Sequence, residues 1–380
     1  MTVHAPIRSG FADHELAPGV EFEQIHYQLR PLRRPDGAEV EGLLNAWIVL
    51  DNPKQYNSYT TRALAELILA LRRASNDPRV QNVVFTAVGD RAFCTGGNTA
   101  EYSEVYSGRP DEYRRYMRLF NDAVSALLHC DKPVINRVNG MRIAGGQEIG
   151  MACDFTVAAD TARFGQAGPK HGSAPVGGST DFLPLYVGWA RAVESCTLCR
   201  TWTAHEAWRL GLINDLQPVL VHDGAFVPNP LVWLDDGRDD RGLPRWGRPK
   251  EGEELAAARD LVRECTTDFS RLDAAVERLC FDLANTMPEC TTFTLENLRR
   301  HKLWWWDRNR EGNRAWLALN MMTEAKAGFR TFHRAPREAR EADFLEMRRA
   351  LAEGGSWEDP GFLRRFAPYA VDPEAEDDGS

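Results

Sequence analysis

The stretch Asn139-Gly140-Met141-Arg142-Ile143-Ala144-Gly145-Gly146-Gln147-Glu148 decides how this chain is read. It follows a short β-branched run, Val134–Val138, turns at Asn139-Gly140, and enters a helix near Gly145. An earlier stretch has the same plan. Val80 to Ala87 (VQNVVFTA) reads as a buried strand, and a glycine-containing loop follows, with Ala92-Phe93-Cys94-Thr95-Gly96-Gly97-Asn98 inside it. Glycines after a strand often only make a turn, so either loop alone carries little. Their order and spacing, about fifty residues apart, are what matter.

Outward from these loops, strands and helices alternate. Gly42–Leu50 is strand-like and ends at the turn Asp51-Asn52-Pro53. Thr60–Ala74 has helical periodicity, Asp111–His129 is helical, Phe155–Ala158 is a strand, and Ala190–Leu210 is helical with Thr203 as an N-cap. Alternation of this kind predicts an α/β fold. Residues 1–36 are polar and proline-bearing and read as an extension; 37–221 form the α/β core; 222–252 read as an insertion. Residues 253–356 are mostly helical, and 357–380 read as an acidic tail. No internal repeat is evident.

The chain has 380 residues, 43% hydrophobic and 27% charged, with a net charge of -9. That balance suits a globular protein and disfavours sequence-independent nucleic-acid binding, which draws on Lys and Arg clusters. No run approaches the roughly 18 apolar residues of a membrane span, and Met1–Phe11 lacks a secretory apolar stretch, so a cytoplasmic location is expected. The eight cysteines are scattered and read as reduced thiols. Cys196 and Cys199 form one C-x-x-C, read as buried packing on a helix rather than a metal or redox pair.

Together, the two loops resemble the enoyl-CoA hydratase/isomerase, or crotonase, superfamily. The resemblance runs from Leu50 to about Asp215. It takes in Leu50-Asp51-Asn52-Pro53-Lys54, Lys132-Pro133-Val134-Ile135, Cys153-Asp154, Ala162-Arg163-Phe164-Gly165-Gln166, Thr203-Ala204-His205-Glu206-Ala207 and Gly211-Leu212-Ile213-Asn214. It implies a spiral of ββα units with a C-terminal helical region used for oligomerisation, as a homotrimer or hexamer. It further implies an acyl-coenzyme A substrate, no cofactor beyond that coenzyme A, no metal, and no nucleic-acid or membrane partner. By the same resemblance the N–H groups of Gly97 and Gly145 form an oxyanion hole for the thioester enolate. Such donors stabilise charge as it develops, and the dipole of a helix starting at Gly145 acts in the same sense. Glu148 follows three residues later, on the same turn of that helix, as the group that activates water.

One departure narrows the choice. Hydratases of the family carry a second glutamate in a pattern like F-G-x-P-E, whereas here the stretch is Phe164-Gly165-Gln166-Ala167-Gly168. Gly168 stands in the place of that acid and frees space near the substrate. Beyond it come His171, either a proton shuttle or a structural histidine, and Asp181, either a base or orienter for His171 or a helix cap. The wording around residues 92–104 and 165–178, the stretch after Leu220, the run Trp304-Trp305-Trp306 and Asn320-Met321-Met322 look like the ring-opening 6-oxocyclohex-1-ene-1-carbonyl-CoA hydrolases of anaerobic benzoyl-CoA degradation. That resemblance implies addition of water to the C=C bond and hydrolysis of a ring C–C bond, giving 3-hydroxypimeloyl-CoA. Lys54, Tyr56, Asn98, Gly168, Lys326 and Phe332 are the expected substrate and coenzyme A contacts, with Lys326, Phe329 and Phe332 placed to reach a neighbouring subunit's ligand. The tryptophan run reads as packing or interface rather than an adenine stack. Two alternatives stay open at this stage: hydration or isomerisation of another acyl-CoA, and a non-catalytic crotonase scaffold that binds RNA.

Overall fold

The computed structural model describes residues 14–372. Strand β1 (Ile25–Arg33) pairs antiparallel with β2 (Glu39–Leu50), and helix α1 (Thr61–Asn76) follows, capped by the Thr60 hydroxyl. Three segments then repeat one plan. β3 (Val80–Ala87) and β4 (Ala92–Cys94) lead to the short turn α2 (Thr99–Glu101) and to α3 (Pro110–Leu128). β5 (Val134–Val138) and β6 (Met141–Ile143) lead to α4 (Gly145–Ala152). β7 (Phe155–Ala159) and β8 (Arg163–Gly165) lead to α5 (Ser179–Val187). The first strand of each pair is buried along nearly its whole length and mostly apolar, as expected of a strand covered on both faces, and the polar side chains of Asn82, Asn136 and Arg137 are hydrogen-bonded.

After α5 come α6 (Trp189–Leu198), β9 (Thr201–Thr203), α7 (Ala204–Arg209) and β10 (Asp215–Gln217). The first strands build a six-stranded sheet in the order β1-β2-β3-β5-β7-β10; the second strands build a four-stranded sheet in the order β4-β6-β8-β9. β4, β6 and β8 are mutually parallel. Their following loops therefore leave the sheet side by side, at the carboxyl ends where α/β proteins bind ligands.

The remainder is a hairpin and a helical cover. β11 (Leu220–His222) and β12 (Ala225–Val227) turn at Asp223-Gly224, both with positive φ. α8 (Gly252–Glu264), β13 (Thr266–Thr267) and α9 (Ser270–Ala284) follow. Leu272, Val276 and Cys280 of α9 pack on Trp47, Val84 and Ile135 at one face of the large sheet. α10 (Pro288–Asn320) is the longest helix at 33 residues, and α11 (Glu324–Arg334), α12 (Phe344–Ala352) and α13 (Pro360–Phe366) complete the chain.

Several boundaries differ from those read in the sequence. Within 1–36, residues Ile25–Arg33 form the edge strand β1, which alternation does not reveal because polar side chains face solvent and Pro31 sits at a register shift, as edge strands tolerate; residues 1–13 lie outside the described residues. The core limit at 221 falls inside β11, which also pairs with β13. The stretch from 357 is not a tail up to 372. Phe362, Leu363 and Phe366 of α13 bury against Ala327 and Ala350, and Asp372 pairs with Arg330 and Arg334; residues 373–380 lie outside the described residues. The helix over 190–210 is broken at Cys199, which has φ 56, so Cys196 and Cys199 do not share a helical face.

α10 is anchored to the sheet by one buried ion pair. Arg299 Nε lies 2.7 Å from Asp154 Oδ1, its Nη2 2.5 Å from Oδ2, and both side chains are 4% exposed. The same guanidinium donates to the carbonyls of Cys130 and Lys132, and Asp154 also accepts from Val134 N. Removing one partner of such a pair strands a buried charge. Arg299→Ala should therefore lower unfolding stability by about 3–5 kcal/mol. Arg278→Ala, which breaks an exposed pair with Asp282, should cost about 0–1 kcal/mol. Denaturant midpoints of the two variants check this; equal losses would contradict it.

Candidate active site

Three loops meet at the ends of β4, β6 and β8. Gly96 has φ +99, and a Cβ on it would lie 3.0 Å from the Gly145 nitrogen; a Cβ on Gly146 would lie 2.0 Å from the Cys94 carbonyl oxygen. Only glycine permits two backbones this close. Between them Ala144 takes φ 52, ψ −127, a conformation that costs a non-glycine residue of order 1–3 kcal/mol. Neighbours hold it there. Its N–H donates to Gly165 O at 3.0 Å, and its carbonyl accepts from Gln147 N and Glu148 N.

This geometry aims two amides into one space. Tyr59 N–H donates to Gly96 O, and Asn98 N–H donates to Tyr59 O, a parallel bridge centred on Gly97. In such a bridge the flanking groups face the partner and the central residue's N–H faces away. The Gly97 N–H therefore turns from Tyr59 toward the cavity. Gly145 opens α4, so its N–H has no intrahelical acceptor. Neither amide has an acceptor among the described residues, and both line one cavity of about 450 Å³.

Glu148 lines that cavity and is 7% exposed. One carboxylate oxygen accepts from Ser179 N at 3.3 Å, at the start of α5. A Cβ on Gly177 would sit 2.6 Å from the other, so Gly177 makes room for the acid. Burial raises the Glu148 pKa to about 8; the nearby charge of Asp181 pushes the same way, while hydrogen bonds from the Ser179 and Gly177 backbone oppose it. His171 is on the cavity wall with its ring edge on Phe332, centroids 4.6 Å apart. Its Nδ1 is buried without a partner among the described residues, and burial lowers its pKa, which keeps the ring neutral near pH 7. Gly168 also lines the cavity, and a Cβ there would fall 2.5 Å from Ser173 O, so the backbone itself excludes a second glutamate at this position.

The other expected residues divide. Lys54, Tyr56 and Phe332 line the cavity, as does Phe329. Asn98 does not line it: its side chain accepts from Ala100 N and Glu101 N and caps α2. Lys326 lies on α11 away from the cavity wall. Asp181 is absent from the wall as well. It is 5% exposed, accepts from Asn309 Nδ2 at 2.6 Å, and makes no hydrogen bond with His171. It acts on Glu148 through charge and does not orient the histidine. Among the described residues no cluster of acids, histidines and cysteines could hold a metal ion, and no helix is long and apolar enough to cross a membrane. Trp306 is fully buried, while Trp304 and Trp305 are exposed and away from the cavity.

Residues 45–223 match the family model described as enoyl-CoA hydratase/isomerase. The chain is 58% identical to 6-oxocyclohex-1-ene-1-carbonyl-CoA hydrolase of Thauera aromatica over 94% of its length and 95% of the relative's. It is 57% identical to the protein of the same name from Geobacter metallireducens, over 88% of each chain. The chain belongs to the enoyl-CoA hydratase/isomerase family. Among solved structures, an enoyl-CoA hydratase/isomerase from Xanthobacter autotrophicus Py2 superposes with a TM-score of 0.61 at 22% identity, covering 84% of this chain and 96% of that one. An enoyl-CoA hydratase from Mycobacterium avium subsp. paratuberculosis K-10 gives 0.58 at 18% identity, covering 82% and 96%. These likenesses establish the crotonase α/β fold, and the alternation of long-sheet strand, short-sheet strand and helix is its spiral.

The sequence reading missed the aromatic wall. Tyr59, Tyr102, Tyr113, Met117 and Phe120 all line the cavity. A signal existed: Tyr113, Met117 and Phe120 recur at helical spacing on α3, and Tyr102, Tyr106, Tyr113 and Tyr116 crowd a short segment.

The raised pKa of Glu148 has a thermodynamic consequence. A carboxyl that titrates near 8 folded, against 4.5 as its ordinary value, binds its proton more tightly in the native state. Native stability therefore falls as pH rises through that window. Glu148→Gln lacks this loss. Its stability advantage over the wild type should be small at pH 5 and reach about 3–5 kcal/mol above pH 8, since each tenfold gain in proton affinity is worth about 1.4 kcal/mol. Thermal or denaturant unfolding at the two pH values decides; a pH-independent difference would exclude a buried charge as its cause.

Proposed function

We propose that this protein is a ring-opening hydrolase that adds water to the C=C bond of 6-oxocyclohex-1-ene-1-carbonyl-CoA and then hydrolyses the ring C–C bond, giving 3-hydroxypimeloyl-CoA in anaerobic aromatic degradation. The observation that carries it is one cavity holding two uncommitted amides, a buried carboxyl of raised pKa and a neutral imidazole, with glycine in place of a second acid. Relatives of that name at 58% and 57% identity over nearly the whole chain supply the substrate.

In the first step the thioester oxygen accepts from the Gly97 and Gly145 amides. Glu148, as carboxylate, takes a proton from the water that attacks the β-carbon. The π electrons move onto the α-carbon and thioester oxygen, and the α-carbon then takes a proton. In the second step another water attacks the ring ketone with His171 as its base. The bond between the ketone carbon and the α-carbon breaks, its electrons again forming the thioester enolate, and the α-carbon is protonated. One hole thus serves two enolates, which is economical because it stabilises only charge that develops. Asp181 is assigned to tuning Glu148 rather than to proton transfer. Lys54, Tyr56 and Phe332 are assigned to coenzyme A and the acyl group.

Exposed apolar side chains support assembly as a homotrimer or hexamer: Trp189 is 76% exposed, Phe293 62% and Trp304 56%. Eight cysteines without a disulfide support a reducing, cytoplasmic setting.

Mass analysis of the product is the decisive test. Ring opening adds two waters with the thioester intact, whereas ordinary hydration adds one and thioester hydrolysis releases coenzyme A. Glu148→Gln should reduce turnover by about 10²-fold or more; wild-type turnover would remove Glu148 from the mechanism. Because Glu148 must be ionised to act as base and titrates near 8 in the free protein, kcat/KM should rise about tenfold per pH unit below 8 and level above it. A flat profile between pH 6 and 8 would contradict the role.

A further inference from the structure

Two tyrosine hydroxyls stand against the glycines of the hole. A Cβ on Gly145 would lie 1.9 Å from the Tyr59 hydroxyl oxygen, and a Cβ on Gly97 would lie 1.7 Å from that of Tyr102. Each phenol oxygen is thus roughly 3 Å from a glycine Cα. Both residues line the cavity, and they are 4% and 8% exposed.

Their surroundings differ in a useful way. The Tyr59 hydroxyl has no hydrogen-bond partner among the described residues. A buried tyrosine hydroxyl ordinarily finds one, so this O–H is free for something in the cavity. The Tyr102 hydroxyl is backed instead. It lies 2.7 Å from the Tyr116 hydroxyl, and the Tyr113 ring packs edge-on against the Tyr102 ring with centroids 5.6 Å apart. Either oxygen of the Tyr102–Tyr116 pair can be the donor; with Tyr116 donating, the Tyr102 proton is available to a group in the cavity. The backbone is shaped to present it. Tyr102–Tyr106 is a π-helix, with Ser107 N–H donating to Tyr102 O, a local rewinding often seen at functional sites.

On the reading above, the substrate brings one more acceptor than an ordinary enoyl thioester. Its ring ketone is bonded to the α-carbon, so it falls beside the thioester oxygen and at the edge of the hole. When water attacks that ketone, its oxygen becomes an alkoxide before the C–C bond breaks. The Gly97 and Gly145 amides are then occupied by the thioester oxygen. We propose that Tyr59 and Tyr102 form a second oxyanion site, donating to the ring ketone oxygen and to the alkoxide made from it, with Tyr113 and Tyr116 positioning Tyr102. No proton is transferred in this role: the phenols hold the oxygen while the pair of electrons arrives, and release it when the carbonyl of the new carboxylic acid forms. The site would select cyclic β-keto thioesters over simple enoyl thioesters.

The test uses full-length Tyr59→Phe and Tyr102→Phe with the cyclic keto-enoyl thioester, and the ketone-free cyclohex-1-ene-1-carbonyl thioester as a binding probe. Each variant should open the ring roughly 10²-fold more slowly, so that the singly hydrated, ring-closed thioester accumulates. Its affinity for the ketone-free probe should stay within about twofold of wild type, which also reports an intact fold. Ring opening at the wild-type rate would overturn the proposal, as would equal losses of probe binding and activity. A wild-type protein that never yields the doubly hydrated product overturns the parent function, and this assignment with it. Tyr116→Phe should lower kcat on the ketonic substrate with KM unchanged; no change in kcat would remove it from the relay.

Discussion

The site depends on a contact between two stretches of main chain. Gly96 and the Gly145 nitrogen approach so closely that a methyl group on Gly96 would press on it, and Gly146 lies against the Cys94 carbonyl. The parallel pairing of β4 with β6 and of β6 with β8 sets where the loops begin. Glycine sets how near they come. From that closeness follow the shared direction of the Gly97 and Gly145 amides, the strained turn at Ala144, and the start of α4 at the point where Glu148 can follow within one turn. A side chain at any of these glycines would part the loops, and each later feature would move with them.

The same design concentrates unfavourable terms in one place. Among the described residues, two N–H groups lack acceptors, Ala144 is held in a sparsely populated conformation, Glu148 is buried near the second buried acid Asp181, and His171 Nδ1 and Asp181 Oδ2 lack partners. The strained turn and each unpaired group cost of order 1–3 kcal/mol. Two continuous apolar clusters offset them, one between the large sheet and α1, α3 and α10, the other between that sheet and α9. The strain stays local because both neighbours of Ala144 are rigid elements: its N–H is tied to β8 and its carbonyl to the first turn of α4. Local frustration on an otherwise consistent framework is the expected mark of a functional site.

What the sequence made legible was the part governed by local rules. Buried strands read as β-branched runs, α1 and α3 as helices, and Thr203 as a capping residue. The glycine loops were legible because close approach leaves so little choice of residue. Long-range geometry was not. β1 hid among polar residues because its identity comes from pairing with β2, and α13 looked like part of a tail because its three apolar anchors are buried through contacts that include Ala327 of α11 and Ala350 of α12, distant in sequence. Asp181 and Asn98 are the instructive pair. Both sit next to motif residues in sequence, yet one turns behind Glu148 to meet Asn309 and the other turns back to cap α2. Sequence proximity put them near the site; side-chain direction kept them off its wall.

Gly168 shows how one backbone contact can bear on chemistry. With Ser173 O so near, no side chain fits there without moving the loop that carries His171. A second glutamate would also place another charge beside Glu148, whose pKa is already raised by burial and by Asp181, and like charges in one dry cavity drive each other further toward the neutral form. A buried imidazole avoids that conflict, since its working form as a base is uncharged and burial favours it. Substituting a neutral base for a second acid therefore lets one small cavity hold two water-activating groups while only one of them carries charge, a condition that a reaction needing two waters and one oxyanion hole imposes on any fold that hosts it.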